Sequence, residues 1–122
     1  MNMKKFSVIA VTILFAGAAQ AQNAQRGQKL YEECAACHST KVGESGVGPS
    51  LANALGRKAG ENPDFRYSPA MRRSGITWNQ TSLNEFVADP QKKVPDNRMP
   101  YGGMPDAANR ADLIAYLLTV MK

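Results

Sequence analysis

Cys34, Cys37 and His38 stand together as Cys-x-x-Cys-His. On a helical turn, positions i, i+3 and i+4 project from nearly one face. Two thiols placed that way can each bond one vinyl-derived carbon of a haem. The adjacent imidazole then falls under the iron as the proximal ligand. Ala35 and Ala36, between the cysteines, keep the turn compact. Other uses of a Cys-x-x-Cys pair fit less well. A redox dithiol of the thioredoxin type needs a βαβ context, and no segment shows strand alternation. Structural zinc takes four Cys or His ligands, whereas the chain has two Cys and one His in all. A disulfide across two residues is the plain alternative. The spacing, and the absence of any other Cys or His, favour attachment of one haem c through Cys34 and Cys37.

With no second imidazole, the sixth iron ligand must come from a methionine. Met71 and Met121 fall on predicted helices and read most simply as core or surface residues. Met99 and Met104 both lie in a long segment rich in Pro and Gly. Such a segment can wrap the far face of a haem and present a sulfur, so both remain candidates on spacing alone.

The elements that must position these groups are short helices. A first helix is expected over about residues 25–34, with Gly27, Leu30, Tyr31 and Cys34 on its inner face. Residues 39–55 are Gly-rich and read as loop. Ser68, Pro69 and Gly75 have the types of an N-cap, a first helical residue and a C-terminal stop, predicting a short helix between them. Another helix is expected over residues 80–88, with Ser82 and Glu85 at capping-box spacing. Asp89-Pro90 ends it. Residues 91–105 then form a loop with three Pro and two Gly, and loops that long are usually functional. A last helix starts after Asp106 and reaches about Met121, with Leu113, Leu117 and Val120 as one apolar stripe and Ile114, Leu118 and Met121 beside it. The chain therefore reads as all-α.

The full chain has 122 residues, 43% of them apolar, and a net charge of +5. It fits one domain, and its composition is that of a folding sequence rather than a disordered one. Lys4 and Lys5, the apolar run over residues 6–18 and the small-x-small triplet Ala19-Gln20-Ala21 have the three-part form of a secretory signal peptide. The run is shorter than the roughly 20 apolar residues a membrane helix needs. Cleavage after Ala21 would leave residues 22–122 and lower the net charge to +3, because Lys4 and Lys5 leave with the leader. Twelve apolar residues of that mature segment are Ala. Its core is thin for its size, and a porphyrin would supply the missing buried surface.

In these residues the chain resembles the class I, mitochondrial-type cytochromes c and their bacterial periplasmic counterparts. The resemblance covers nearly all of the mature segment. Gly27 and Tyr31 match the small and aromatic residues where the family's first helix crosses its last. Gly48-Pro49-Ser50-Leu51 resembles the Gly-Pro-x-Leu segment whose Pro carbonyl accepts a hydrogen bond from the proximal His. Gly56-Arg57-Lys58-Ala59-Gly60 is similar to the family's Gly-Arg-x-x-Gly stretch. Tyr67 and Trp78 fall at the spacing of the residues that hydrogen-bond a haem propionate, with Arg57 near it. Pro95-Asp96-Asn97-Arg98-Met99 matches the ligand loop, which implies Met99 as the ligand and gives Met104 an aliphatic packing position. Leu113-Ile114-Ala115-Tyr116-Leu117 resembles the closing helix. Three residues depart from the pattern. Phe86 replaces a common Tyr, Met71 a common Asn, and Glu33 a basic residue. The first two make the pocket more apolar.

The resemblance implies a small cytochrome c fold: short helices and long loops around one covalently held haem, with the terminal helices crossing. It also implies one-electron transfer in the periplasm by a monomeric carrier, not an enzyme, since iron held by His38 and Met99 has no open position. Transient redox partners would dock through Lys92, Lys93, Arg98, Arg72 and Arg73. Nucleic acid is excluded, since no binding motif or basic-aromatic stripe is present. A haem sensor with a displaceable Met, or a redox subunit tethered by an uncleaved leader, are the alternatives.

Overall fold

The structure is a computed structural model that describes Thr12 and residues 22–122. The expected leader over residues 1–21 lies, Thr12 aside, outside the described residues. Among the described residues six helices occur in order: α1 (Ala24–Leu30), α2 (Glu32–Ala35), α3 (Pro69–Arg73), α4 (Gln80–Ala88), α5 (Pro90–Lys93) and α6 (Ala107–Val120). Among the described residues there is no strand, and one isolated antiparallel bridge pairs Lys58 with Thr77. No helix among them is long and apolar enough to cross a membrane.

Most helix starts follow from a side chain that accepts an orphan backbone N–H. Asn23 caps α1 through the Arg26 amide, Ser68 caps α3 through the Met71 amide with Pro69 at the first position, and Asp106 caps α6 through the Asn109 amide. Two expectations are corrected. The capping box of α4 pairs Asn79 with Ser82, not Ser82 with Glu85; Ser82 is the third helical residue and answers the cap. Pro90 does end α4, but it also opens α5, because Pro suits a first helical position and Asp89 accepts from the Lys92 amide. Residues 91–93, expected as loop, are therefore one helical turn.

The ends of the chain close on each other. A Cβ built on Gly27 would sit 1.9 Å from the Asp112 carbonyl oxygen, so only a glycine lets α1 lie directly on α6. The Asp112 carboxylate accepts from the Asn23 amide at 2.7 Å and from the Arg26 guanidinium at 2.6 Å. Those two donors hold its carboxyl below the usual range. Tyr31 and Tyr116 pack with ring centroids 5.2 Å apart. Leu113, Ile114 and Leu117 of the last helix, and Met121 that caps its end, are buried with Tyr31, Leu83 and Met104. Val120, placed on the leading stripe from its spacing, is only partly buried. A second cluster joins Ala59, Met71, Phe86 and Val94, and Trp78 packs against both.

Candidate functional site

The Cys-x-x-Cys-His turn grows out of the first helical segment. The Cys37 amide donates to the Cys34 carbonyl at 3.1 Å and the His38 amide to the same oxygen at 2.9 Å. The helical path thus continues past α2 as far as His38, which keeps the two thiols and the imidazole on neighbouring positions of one turn. Tyr31 steadies it by donating its hydroxyl to the His38 carbonyl at 2.9 Å. Burial pushes the Tyr31 phenol up to about 12, so it remains a neutral donor.

Cys34, Cys37 and His38 all line one cavity of about 440 Å3, whose wall also includes Leu51, Ala54, Leu83, Phe86 and Leu117. That is the size and apolar character of a pocket that encloses a small organic group. Cys34 and Cys37 are not joined as a disulfide. Before any thioether forms, burial, then the charges of Glu33 and Cys37, push the Cys34 thiol up to about 11. Among the described residues no group of three or more His, Cys, Asp or Glu gathers as a zinc site would need.

His38 is set by its neighbours. Its Nδ1 lies 2.8 Å from the Pro49 carbonyl oxygen. A carbonyl can only accept, so Nδ1 carries the proton and Nε2 is the nitrogen left with a lone pair. A Cβ on Gly48 would come within 2.7 Å of the ring carbon Cε1 and 2.9 Å of Nδ1, so the Gly48-Pro49 pair is shaped around the imidazole. The Pro49 carbonyl thus orients the ring and fixes its tautomer.

Arg57, Tyr67 and Trp78 reach the same cavity. The Trp78 amide donates to the Arg57 carbonyl at 2.9 Å, and the Gly56 amide donates to the Trp78 carbonyl at 2.8 Å. Tyr67 is held from behind by Arg72, which donates to its carbonyl at 2.8 Å. Burial raises the Tyr67 phenol, while the Asn62 backbone and then the Arg57 cation act the other way. A guanidinium, a phenol and an indole on one wall suit an anionic group such as a propionate.

The methionines separate. Met71, Met99 and Met121 line the cavity. Met104 is buried with the α6 residues instead, away from the cavity wall. Met99 is half-buried on the loop after α5, against the second cluster. The apolar replacements behave as expected: Met71 and Phe86 are both buried on the cavity wall, and Phe86 packs edge-on to Trp78 with centroids 5.2 Å apart. Asn62, Phe65, Arg66 and Tyr101 also line the cavity and were not singled out from the sequence. Tyr101 alone carried a signal, as the one aromatic residue in the segment around Met99.

Two thiols and an imidazole on one turn, a lone pair at Nε2, an apolar wall and a guanidinium lining the same cavity fit haem. The family model described as cytochrome c matches residues 24–121. The chain belongs to the cytochrome c family. It is 46% identical over 92 residues to the cytochrome c2 of Rhodoblastus acidophilus, covering 75% of this chain and 86% of that protein. It is 33% identical over 121 residues to the cytochrome c2 of Rhodomicrobium vannielii, covering 98% and 97%. Among solved structures it is similar to the cytochrome cH from Methylobacterium extorquens, with a TM-score of 0.75 and 42% identity over 80% of this chain and 98% of that one. The protein is thus a class I cytochrome c of bacterial type with the small cytochrome c fold. Its cofactor is one covalently bound haem c, and it is a monohaem c-type electron carrier.

Proposed function

We propose that His38 and Met99 are the axial ligands, that Cys34 and Cys37 carry the two thioether bonds, and that Arg57, Tyr67 and Trp78 receive a propionate. Haem so held supplies a one-electron couple, and a neutral thioether ligand favours the reduced state. The rest is the work of the chain. His38 is pinned by Pro49 through Nδ1, so its orientation need not change between oxidation states. The apolar wall of Leu51, Phe86 and Leu117 keeps water away. Two filled axial positions leave no site for a substrate, which makes this a carrier and not an enzyme. The observation that carries the ligand reading is that Met99, and not Met104, lies on the cavity wall that His38 shares.

The test is the absorption spectrum of the oxidised protein. The weak long-wavelength band of Met-sulfur ligation is expected in the wild type, absent in Met99→Ala and retained in Met104→Ala. A band that persists in Met99→Ala overturns the assignment.

The carrier works in the periplasm after loss of residues 1–21, and meets its redox partners transiently through its basic rim. Lys93 is already paired with Glu85 and Arg72 is engaged with Tyr67. Lys92, Arg73 and Arg98 make no ion pair among the described residues, so they are the charges best placed to meet an acidic partner. The N-terminal sequence of the purified protein tests the export reading: Gln22 first supports it, and Met1 overturns it.

A further inference from the structure

Residues 90–99 contain two side-chain amides whose hydrogen bonds all go to backbone groups of the same ten-residue stretch. The Gln91 oxygen Oε1 accepts from the Asp96 amide at 3.2 Å, and its Nε2 donates to the Asn97 carbonyl at 2.9 Å. Asn97 Nδ2 donates to the carbonyls of Pro90 and Val94, both at 2.9 Å. Its Oδ1 accepts from the Met99 amide at 2.9 Å. Each amide oxygen faces an N–H and each amide nitrogen faces a carbonyl, so the orientation of both side chains is fixed by their partners. Both protons of Asn97 Nδ2 are used.

We propose that Gln91 and Asn97 form a latch that holds the loop bearing Met99 shut, and so sets how readily an outside ligand can displace the methionine sulfur. Three features support it. Asn97 is buried to 7% exposure, where an unpartnered amide is costly, so the loop is stable closed only while these bonds are made. Asp96 has φ +67°, a left-handed conformation that strains any residue with a Cβ. The Gln91 bond to its amide holds the loop against that strain. Finally, every latch bond stays within residues 90–99, and none reaches α1 or α6. Loss of the latch therefore loosens this loop before it loosens the fold, as expected of a local opening unit. Gln91 and Asn97 act through the loop and are positioning residues. The inference rests on Met99 as the axial ligand.

Imidazole binding to the oxidised haem-loaded protein tests it, read by the loss of the Met-sulfur band. Gln91 is exposed, so Gln91→Ala should fold. Two lost hydrogen bonds should raise its imidazole association constant by about tenfold. Gln91→Glu keeps the acceptor for Asp96 and loses the donor to Asn97, and should fall between wild type and Gln91→Ala. Asn97→Ala, losing three bonds from a buried site, should exceed both. Amide hydrogen exchange at Asp96 and Met99 should quicken in step. Asn23→Ala, which removes the cap of α1 far from the loop, should lower the melting temperature and leave imidazole affinity alone. Wild-type affinity in Gln91→Ala overturns the latch, as does an equal rise in Asn23→Ala. A band that survives in Met99→Ala overturns the ligand assignment, and the latch with it; a band lost in Met99→Ala beside unchanged affinity in Gln91→Ala overturns the latch alone.

Discussion

Replacing Gly48 with Ala should raise the reduction potential, through one hydrogen bond. The added Cβ would lie 2.7 Å from His38 Cε1 and 2.9 Å from Nδ1, against ordinary contacts of 3.4–4 Å. Gly48 is not among the glycines with positive φ, and the Cβ meets the Cys37 carbonyl oxygen at 3.1 Å, so the two shorter contacts put most of the strain on the ring. Reaching 3.4 Å from 2.7 Å requires a displacement of about 0.7 Å. A comparable shift at Nδ1 would carry the 2.8 Å contact with the Pro49 oxygen to the limit of a useful hydrogen bond, about 3.5 Å. That bond draws the Nδ1 proton toward the carbonyl and makes the ring a stronger donor, which favours ferric iron. A neutral hydrogen bond contributes about 1 kcal/mol. For one electron a tenfold change corresponds to about 59 mV, so about 40 mV is the ceiling on the rise. Potentiometric titration followed at the haem absorption measures it. Gly46→Ala is the control, because its Cβ would meet nothing within 4 Å. A downward shift, no shift, or an equal shift in Gly46→Ala would refute the reasoning.

The remaining expectations concern the scaffold and the rim. Gly27→Ala forces α1 off α6, since its Cβ would stand 1.9 Å from the Asp112 oxygen. Overpacking of about 1–3 kcal/mol or more outweighs the gain of about 1 kcal/mol in helix propensity. At 4–8 °C per kcal/mol for a domain of roughly this size, melting should fall by about 10 °C. The depressed Asp112 carboxyl stabilises the fold above the ordinary carboxylate range and loses that effect as pH falls through its folded value. Asp112→Asn should therefore melt below wild type at neutral pH, and the gap should close in acid. Lys92→Glu and Arg73→Glu should slow electron transfer with an acidic partner, and added salt should shrink the difference; equal rates at low ionic strength would remove these residues from the docking surface.

Much of this was legible because the chemistry is local. Cys34, Cys37 and His38 lie within one turn, so their spacing alone places them together. Ser68 and Asp106 announce their helices because a cap is a bond between neighbours. The errors occur where one residue can serve two purposes. Pro90 reads as a stop because it disfavours helix before it, yet it also starts the next turn. Ser82 has the right type for a cap, but Asn79, three residues earlier, does that job and uses Ser82 as its reply. The choice between Met99 and Met104 stays open on spacing, and only the folded chain shows that Met99 lines the cavity while Met104 packs with the α6 residues. The Gln91–Asn97 network left no mark at all. Gln and Asn in a loop look like ordinary surface polarity until the path of the backbone brings the carbonyls of Pro90 and Val94 to one amide.

The closure of the two chain ends has a bearing on how the protein is made. The bonds from Asn23 and Arg26 to Asp112 span 89 and 86 residues. Leu113, Leu117 and Met121, which wall the cavity, are made well after Cys34 and Cys37. Cys34 and Cys37 emerge early and face water until those residues arrive. Contacts so distant in sequence also form slowly. Ordered synthesis thus leaves an interval in which both thiols are open to attachment chemistry, before the residues that wall the cavity are in place. The α6 helix thus completes the cavity wall only after the residues of the Cys-x-x-Cys-His turn have been made.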